Sequence, residues 1–216
     1  MTTWIILALA IVPSIIFHEV SHGVVAYWCG DMTAKIAGRL TLNPISHVDP
    51  VGSLLLPAIM IFSGLPPFGW AKPVPVSVNR LRRPRRDSLL VSFAGPSTNI
   101  ILSLIAWTSC KSADIAGLIY GPSPLSQWTV WLISFGVDFG IVNLTLAIFN
   151  LIPIPPLDGS ALLEAFVPQR RLGQYFAFRN KALPIVMVLF ILDSFTLHLT
   201  GHALGWFQNV WINSLG

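Results

Sequence analysis

Residues 4–28 read WIILALAIVPSIIFHEVSHGVVAYW, an apolar run whose ionisable residues are His18, Glu19 and His22. About 20 apolar residues suffice to cross the hydrocarbon core of a bilayer, so the stretch reads as a membrane helix. No basic segment precedes it, since the first lysine is Lys35. It is therefore expected to be a retained helix and not a cleaved signal peptide. Three ionisable groups within five residues of such a helix are expensive unless they have a function or a partner. This first helix sets the class of the whole chain and places the first candidate chemistry inside it.

The rest of the composition agrees. The chain has 216 residues, of which 54% are hydrophobic and 10% charged, and its mean hydropathy is +0.71. Soluble domains carry about 25% charged residues, so most of this chain has no water-facing surface to cover. The apolar stretches are continuous and not alternating, which argues for membrane helices over a β-barrel. The net charge of +4 is concentrated in two knots, Arg80–Arg86 and Arg170–Lys181. These read as short cytoplasmic loops, with a contact to anionic head groups compatible. No nucleic-acid motif accompanies them, so no nucleic-acid partner is expected. Cys29 and Cys110 have neither a CxxC spacing nor a pairing framework and are expected to pack as small apolar residues.

Working outward from residues 4–28, residues 31–48 are more polar, and 51–65 are apolar but short, broken by Pro57 and closed by Gly64-Leu65-Pro66-Pro67. A stretch of that length suits a re-entrant segment. Residues 69–78, GWAKPVPVSV, carry prolines that forbid helix and suit a sheet edge. With 31–48 they predict a small membrane-associated β element. Residues 88–110 and 128–152 predict two spanning helices, separated by a polar loop at 111–127. Ala94-Gly95-Pro96-Ser97 would let the first of them approach a neighbour closely. A last apolar stretch covers about 182–200, and the aromatic tail 202–216 suits the interface. The expectation is one membrane-embedded domain over 1–216, all-α and polytopic, with its core at about 4–165.

Orientation follows from the basic knots. If both are cytoplasmic, helix 88–110 runs outward and 128–152 runs inward, which brings Asp158 towards the cytoplasmic side. Only a re-entrant 51–65 places residues 18–22 at a similar depth, so the re-entrant reading is preferred.

Two motifs carry chemistry. His18-Glu19-Val20-Ser21-His22 is an H-E-x-x-H. On a helix, residues four apart share one face, so the two imidazoles converge on one point. Zinc accepts nitrogen ligands at about 2.0–2.1 Å, and a catalytic site needs a third protein ligand and an open position. Glu19 adjoins the first ligand and can reach a metal-bound water as general base. The second motif is Asn150-Leu151-Ile152-Pro153-Ile154-Pro155-Pro156-Leu157-Asp158-Gly159. Its prolines interrupt the helix and let a carboxylate turn inward, and Asp158 is an acceptable zinc ligand. The first motif lacks a third ligand, and the second offers one at matching depth.

Together, His18-Glu19-x-x-His22 and Asn150-x-x-Pro153-x-Pro155-Pro156-Leu157-Asp158-Gly159 resemble the site-2 protease family of intramembrane zinc metalloproteases. Phe93-Ala94-Gly95-Pro96-Ser97-x-Asn99 is similar to that family's middle core helix, and the likeness spans roughly residues 4–165. It implies a three-helix catalytic core with a membrane-associated strand region between the first two core helices, to which the reading above adds the re-entrant segment and a C-terminal helix. It also implies one zinc ion per chain near the cytosolic face and single-span membrane-protein substrates opened into an extended strand. By position, His18, His22 and Asp158 would ligate zinc, Glu19 would activate water, and Asn150 would hold the substrate strand or the developing oxyanion. No PDZ domain or nucleotide-binding regulatory pair is visible, so the resemblance is to a compact branch. The expected location is a prokaryotic plasma membrane, multi-pass, with the site towards the cytoplasm.

Two rival functions use the same residues. A catalytically silent binder of membrane helices would have little reason to keep Glu19. A metal transporter would need further polar residues along a path through the bilayer, and few are visible. His47 and Asp49 are expected to make local turn hydrogen bonds, the sharper alternative being a gate or extra ligand at the site. Asp138 is expected to pack against a polar partner, and Glu164 to face the cytosolic interface. His198 and His202 share a spacing of four but lack an adjacent glutamate and a third ligand, so no second metal site is expected.

Overall fold

A computed structural model describes residues 2–64, 69–115, 127–195 and 199–215. Helices dominate. The first, α1, spans Thr2–Trp28, followed by the short α2 at Thr33–Ile36. A π-type turn at Pro50–Leu55 leads into α3, Leu56–Phe62. Two long helices, α4 (Pro84–Ile115) and α5 (Gln127–Leu151), precede the short α6 at Ser160–Phe166. Then come α7, Leu172–Phe195, and α8, Leu199–Asn213. Among the described residues, α1, α4 and α5 contain stretches long and apolar enough to cross a membrane, and they pack on one another pairwise. The protein is all-α and built for a bilayer, as composition and hydropathy predict. Of the expected C-terminal stretch, 182–195 lie in α7, and residues 196–198, with His198, fall outside the described residues.

Which face of each helix is buried explains the bundle. On α1 the buried row is Ile6, Ala10, Ser14, His18, His22 and Ala26, every fourth residue. The outward residues Ile5, Leu9, Val12 and Phe17 are all large and apolar. The same inversion holds on α4, where Ser88, Ser92, Gly95, Asn99 and Ser103 are buried while Ile101, Leu104 and Ile105 face out. Lipid tails are as apolar as leucine, so leucine gains nothing by burial there. Small residues that let backbones approach, and polar ones that bond across helices, hold the interior instead. Ser103 Oγ, for example, donates to the Gly140 carbonyl of α5 at 2.9 Å. Trp211 of α8 lies over Gly140, where an added Cβ would come within 2.3 Å of the indole.

The two segments expected to form a β element do not. No strand forms among the described residues, and local side-chain bonds give the reason. Asp31 accepts from the Thr33 amide at 2.9 Å and opens a helical turn, and Asn43 accepts from Ile45 at 3.1 Å to cap a 3-10 turn. Both compete with strand pairing. Residues 69–77 are extended but unpaired as a ladder. Pro73 and Pro75 have no amide hydrogen to give, and the Val74 amide goes to a side chain, Glu19.

This extended segment is a strap with fixed moorings. The Trp70 amide donates to the Gly52 carbonyl at 3.2 Å and the Lys72 amide to the His47 carbonyl at 2.9 Å. Gly52 and Trp70 therefore meet. The buried Arg39 guanidinium donates to the Lys72 carbonyl at 2.8 Å, and Gly23 admits Val74, whose methyl would lie 2.7 Å from an added Cβ. At the other end, the Ser77 amide donates to the wholly buried Asp31 at 2.6 Å.

Both basic knots lie at one end of the bundle. Arg85, in the first turn of α4, donates to the Val167 carbonyl just before the second knot at 3.0 Å. Glu164, expected at the interface, is buried and within 3.4 Å of Ser88 and of Arg179. Burial pushes its carboxyl up, with Arg179 opposing.

Candidate metal centre

The site sits at that same end, where the last turns of α1, the first turns of α4 and the chain beyond α5 converge. His18 and His22 are the buried row of α1 continued, and their Nε2 atoms are 3.1 Å apart. Beyond Leu151 the chain turns back, with the Gly159 amide donating to the Asn150 carbonyl at 2.6 Å. A Cβ on Gly159 would lie 2.2 Å from the Leu151 carbonyl oxygen, so only glycine allows this close return. The return delivers Asp158, whose Oδ2 lies 3.0 Å from His18 Nε2 and 3.3 Å from His22 Nε2. The three ligand-type atoms all fall within 4.8 Å of one another.

Hydrogen bonding on the far side of each ring decides what these atoms offer. His22 Nδ1 donates to the Val91 carbonyl oxygen at 2.6 Å, and a carbonyl only accepts, so Nδ1 carries the hydrogen. His18 Nδ1 faces Asn99 Oδ1 at 2.5 Å, which imposes the same tautomer. In its neutral form each ring then turns an Nε2 lone pair towards Asp158 Oδ2, which itself has no hydrogen-bond donor. Three electron-rich atoms gathered this closely repel one another unless a cation joins them. The spacing fits a metal: ligands about 2.0–2.1 Å from a tetrahedral zinc are about 3.3 Å apart. Gly95 completes the fit. A Cβ there would lie 2.5 Å from both His18 Cε1 and His22 Nε2, so the helix leaves the imidazole edges uncovered.

The neighbours suit the same purpose. Asp158 offers a carboxylate oxygen beside two imidazole nitrogens, a donor set that zinc accepts. Glu19, next to His18 in the same cavity lining, accepts from the Val74 amide through Oε2 at 2.9 Å. One carboxylate oxygen is thus spent on orientation. Asn150 also lines the cavity, its Nδ2 donating to the Leu146 carbonyl at 3.0 Å. The cavity measures about 690 Å³ and is walled chiefly by the strap (Trp70, Val74, Pro75) and by Val91, Pro156 and Leu157.

The structure thus assembles His18, Glu19, His22, Asn150 and Asp158 around one cavity. It does not bring His47 or Asp49 there. His47 Nε2 bonds the Thr41 carbonyl at 2.8 Å, and Asp49 caps the turn at Pro50, accepting from Gly52 at 2.8 Å. Their indirect part is to moor the strap. The sequence reading assigned Gly95 only a packing role and gave Asn99 no task. Asn143 and Ser14 drew no attention, although a polar residue facing inward from an apolar helix is itself a signal.

The profile of Peptidase family M50 matches residues 109–193. YwhC of Bacillus subtilis is 37% identical over 86% of this chain and 80% of that protein. Rip2 of Mycobacterium tuberculosis is 31% identical over 91% of this chain and 68% of that protein. Both carry zinc-metalloprotease names. No solved structure is significantly similar to the chain. A relative that alike over most of both lengths settles the family: the chain belongs to peptidase family M50, the site-2 protease family of zinc metalloproteases.

Proposed function

We propose that the protein is an intramembrane endopeptidase in which His18, His22 and Asp158 hold one zinc ion and Glu19 is the general base. The observation that carries this is the convergence of three lone-pair atoms at 3.0–3.3 Å, uncovered by Gly95 and beside a carboxylate. A zinc ion held there supplies Lewis acidity to polarise the scissile carbonyl and bring its water into the neutral titration range. Glu19 takes a proton from the attacking water as its oxygen bonds the carbonyl carbon. The same carboxyl returns that proton to the departing amide nitrogen as the C–N bond breaks. The Val74 amide on Oε2 leaves Oε1 as the oxygen that moves the proton. Asn150 serves the substrate strand or the developing oxyanion from the cavity wall.

The cavity is bounded by an extended strap and apolar walls, which suits an unwound segment of apolar side chains better than an intact helix. Substrates of this reading are single-span membrane proteins. The two arginine knots at the site's end of the bundle support a multi-pass, plasma-membrane enzyme with its site towards the cytoplasm, built as one domain over 1–216.

The test compares purified wild type with Glu19→Gln for bound zinc and for cleavage of a model single-span substrate. One zinc in each, with cleavage by wild type alone, is expected. Wild type without zinc under metal-replete conditions, or equal cleavage by both proteins, overturns the mechanism. Zinc in both with cleavage by neither over a broad substrate panel would favour a silent helix binder.

A further inference from the structure

We infer that Asn143 and Ser14, which touch neither the cavity nor the metal-ligand atoms, are positioning residues that fix the tautomer and orientation of His18 through Asn99. The inference rests on the metal reading of the preceding section and adds to it a control of metal affinity from deep in the bundle.

Ser14, Asn99 and Asn143 come from three different helices, α1, α4 and α5, and each is completely buried. Side-chain amides are costly in such a place unless every donor and acceptor is met. Here they are met, and in one direction only. Asn143 Nδ2 donates to the Phe139 carbonyl at 2.8 Å and to Ser14 Oγ at 2.7 Å. Ser14 Oγ passes its own hydrogen to the Ala10 carbonyl at 2.7 Å, so it faces Asn143 as an acceptor. Asn143 Oδ1 is left to accept from Asn99 Nδ2 at 2.7 Å. The second Asn99 hydrogen goes to the Ser14 carbonyl at 3.4 Å. Asn99 Oδ1 is therefore the atom presented to His18 Nδ1.

The direction is forced by groups that cannot reverse. The Phe139, Ala10 and Ser14 backbone carbonyls only accept. Turning the Asn99 amide over would set its oxygen against Asn143 Oδ1 and the Ser14 carbonyl together, two acceptor pairs with no hydrogen between them. His18 Nδ1 must then hold a hydrogen, so that in the neutral imidazole a metal takes, Nε2 is the lone-pair atom facing Asp158 and His22. Outer partners of this kind fix ring orientation, and their loss typically costs about 10–100-fold in metal affinity. The relay also explains polar burial that packing alone does not need, because alanine or leucine would fill the same space without desolvation cost.

The experiment measures zinc affinity of the purified full-length protein by competition with a chromogenic chelator, and records the visible spectrum of the Co2+-loaded form. Asn143→Leu and Ser14→Ala are compared with wild type and with Ser103→Ala. Ser103 makes a buried α4–α5 bond outside the relay, so its loss reports on general loosening of the bundle. The expected result is a zinc affinity weakened about 10–100-fold in Asn143→Leu. Ser14→Ala should weaken in the same direction with shifted Co2+ bands, and Ser103→Ala should stay within about twofold of wild type while losing thermal stability. If Asn143→Leu does not fold, the Ser14→Ala result decides. Relay variants within twofold of wild type, or an equal loss in Ser103→Ala, overturn the inference while leaving the metal site standing. Wild type that binds no zinc overturns both.

Discussion

Gly95→Ala is the sharpest test of the site's geometry, because helix propensity and site packing pull in opposite directions. Within a helix, alanine is favoured over glycine by about 1 kcal/mol. A Cβ at position 95, however, would sit 2.5 Å from His18 Cε1, 2.5 Å from His22 Nε2 and 2.6 Å from His18 Nε2. Ordinary contact between such atoms is about 3.5 Å, so the rings or α4 must give by about 1 Å. A metal site tolerates only about 0.2 Å in its ligand distances. Retreat of α4 is resisted by the His22–Val91 and His18–Asn99 bonds, which tie both rings to that same helix. Overpacking of this kind costs about 1–3 kcal/mol. If that strain is released by displacing the histidines, it appears as a zinc affinity about 5- to 150-fold weaker. The assay is chelator competition on the purified variant, with thermal unfolding of the metal-free protein alongside. The expected outcome is a variant that still folds but binds zinc poorly and cleaves slowly. A variant with wild-type zinc affinity would refute the placement of Gly95 against the ligands.

Other perturbations separate the parts of the structure. Arg39→Met removes the guanidinium that holds the Lys72 carbonyl, so the strap should loosen its grip on Glu19; cleavage should fall about tenfold or more with zinc content intact, measured side by side. Gly140→Ala would drive a Cβ to 2.3 Å from the Trp211 ring, destabilising the seating of α8 by about 1–3 kcal/mol in thermal melts while zinc affinity stays near wild type. Asp31 titrates with a definite sign. Burial raises its carboxyl, but bonds from Thr33 and Ser77 and the nearby Arg80 more than offset this and lower it below its ordinary 3.8. Its contribution to stability is thus present above pH about 4 and fades as pH falls through the depressed value. Asp31→Asn should therefore destabilise at neutral pH and flatten the acid limb of a stability-versus-pH curve.

Much of this protein follows from local rules that a sequence exposes directly. The three long helices are legible because hydrocarbon thickness demands about 20 apolar residues in a row. His18 and His22 are legible as a pair because a helix repeat places residues four apart on one face. Asp158 was reachable only as a complement, since nothing local ties it to a histidine far away in the chain; what brings it there is the glycine-dependent return after Leu151. The expected β element failed for a physical reason. Alternation and prolines describe an extended chain, but a strand needs a partner, and the competing turns at Asp31 and Asn43 together with Glu19's hold on the Val74 amide remove it. Sequence alone determined the helices, the paired imidazoles and the type of chemistry, all consequences of spacing along one chain. Only the tertiary structure decided that Gly95 uncovers the rings and that the strap steers Glu19. It also decided that Ser14, Asn99 and Asn143 meet in one buried relay, because the contacts join residues whose separation in sequence carries no periodicity.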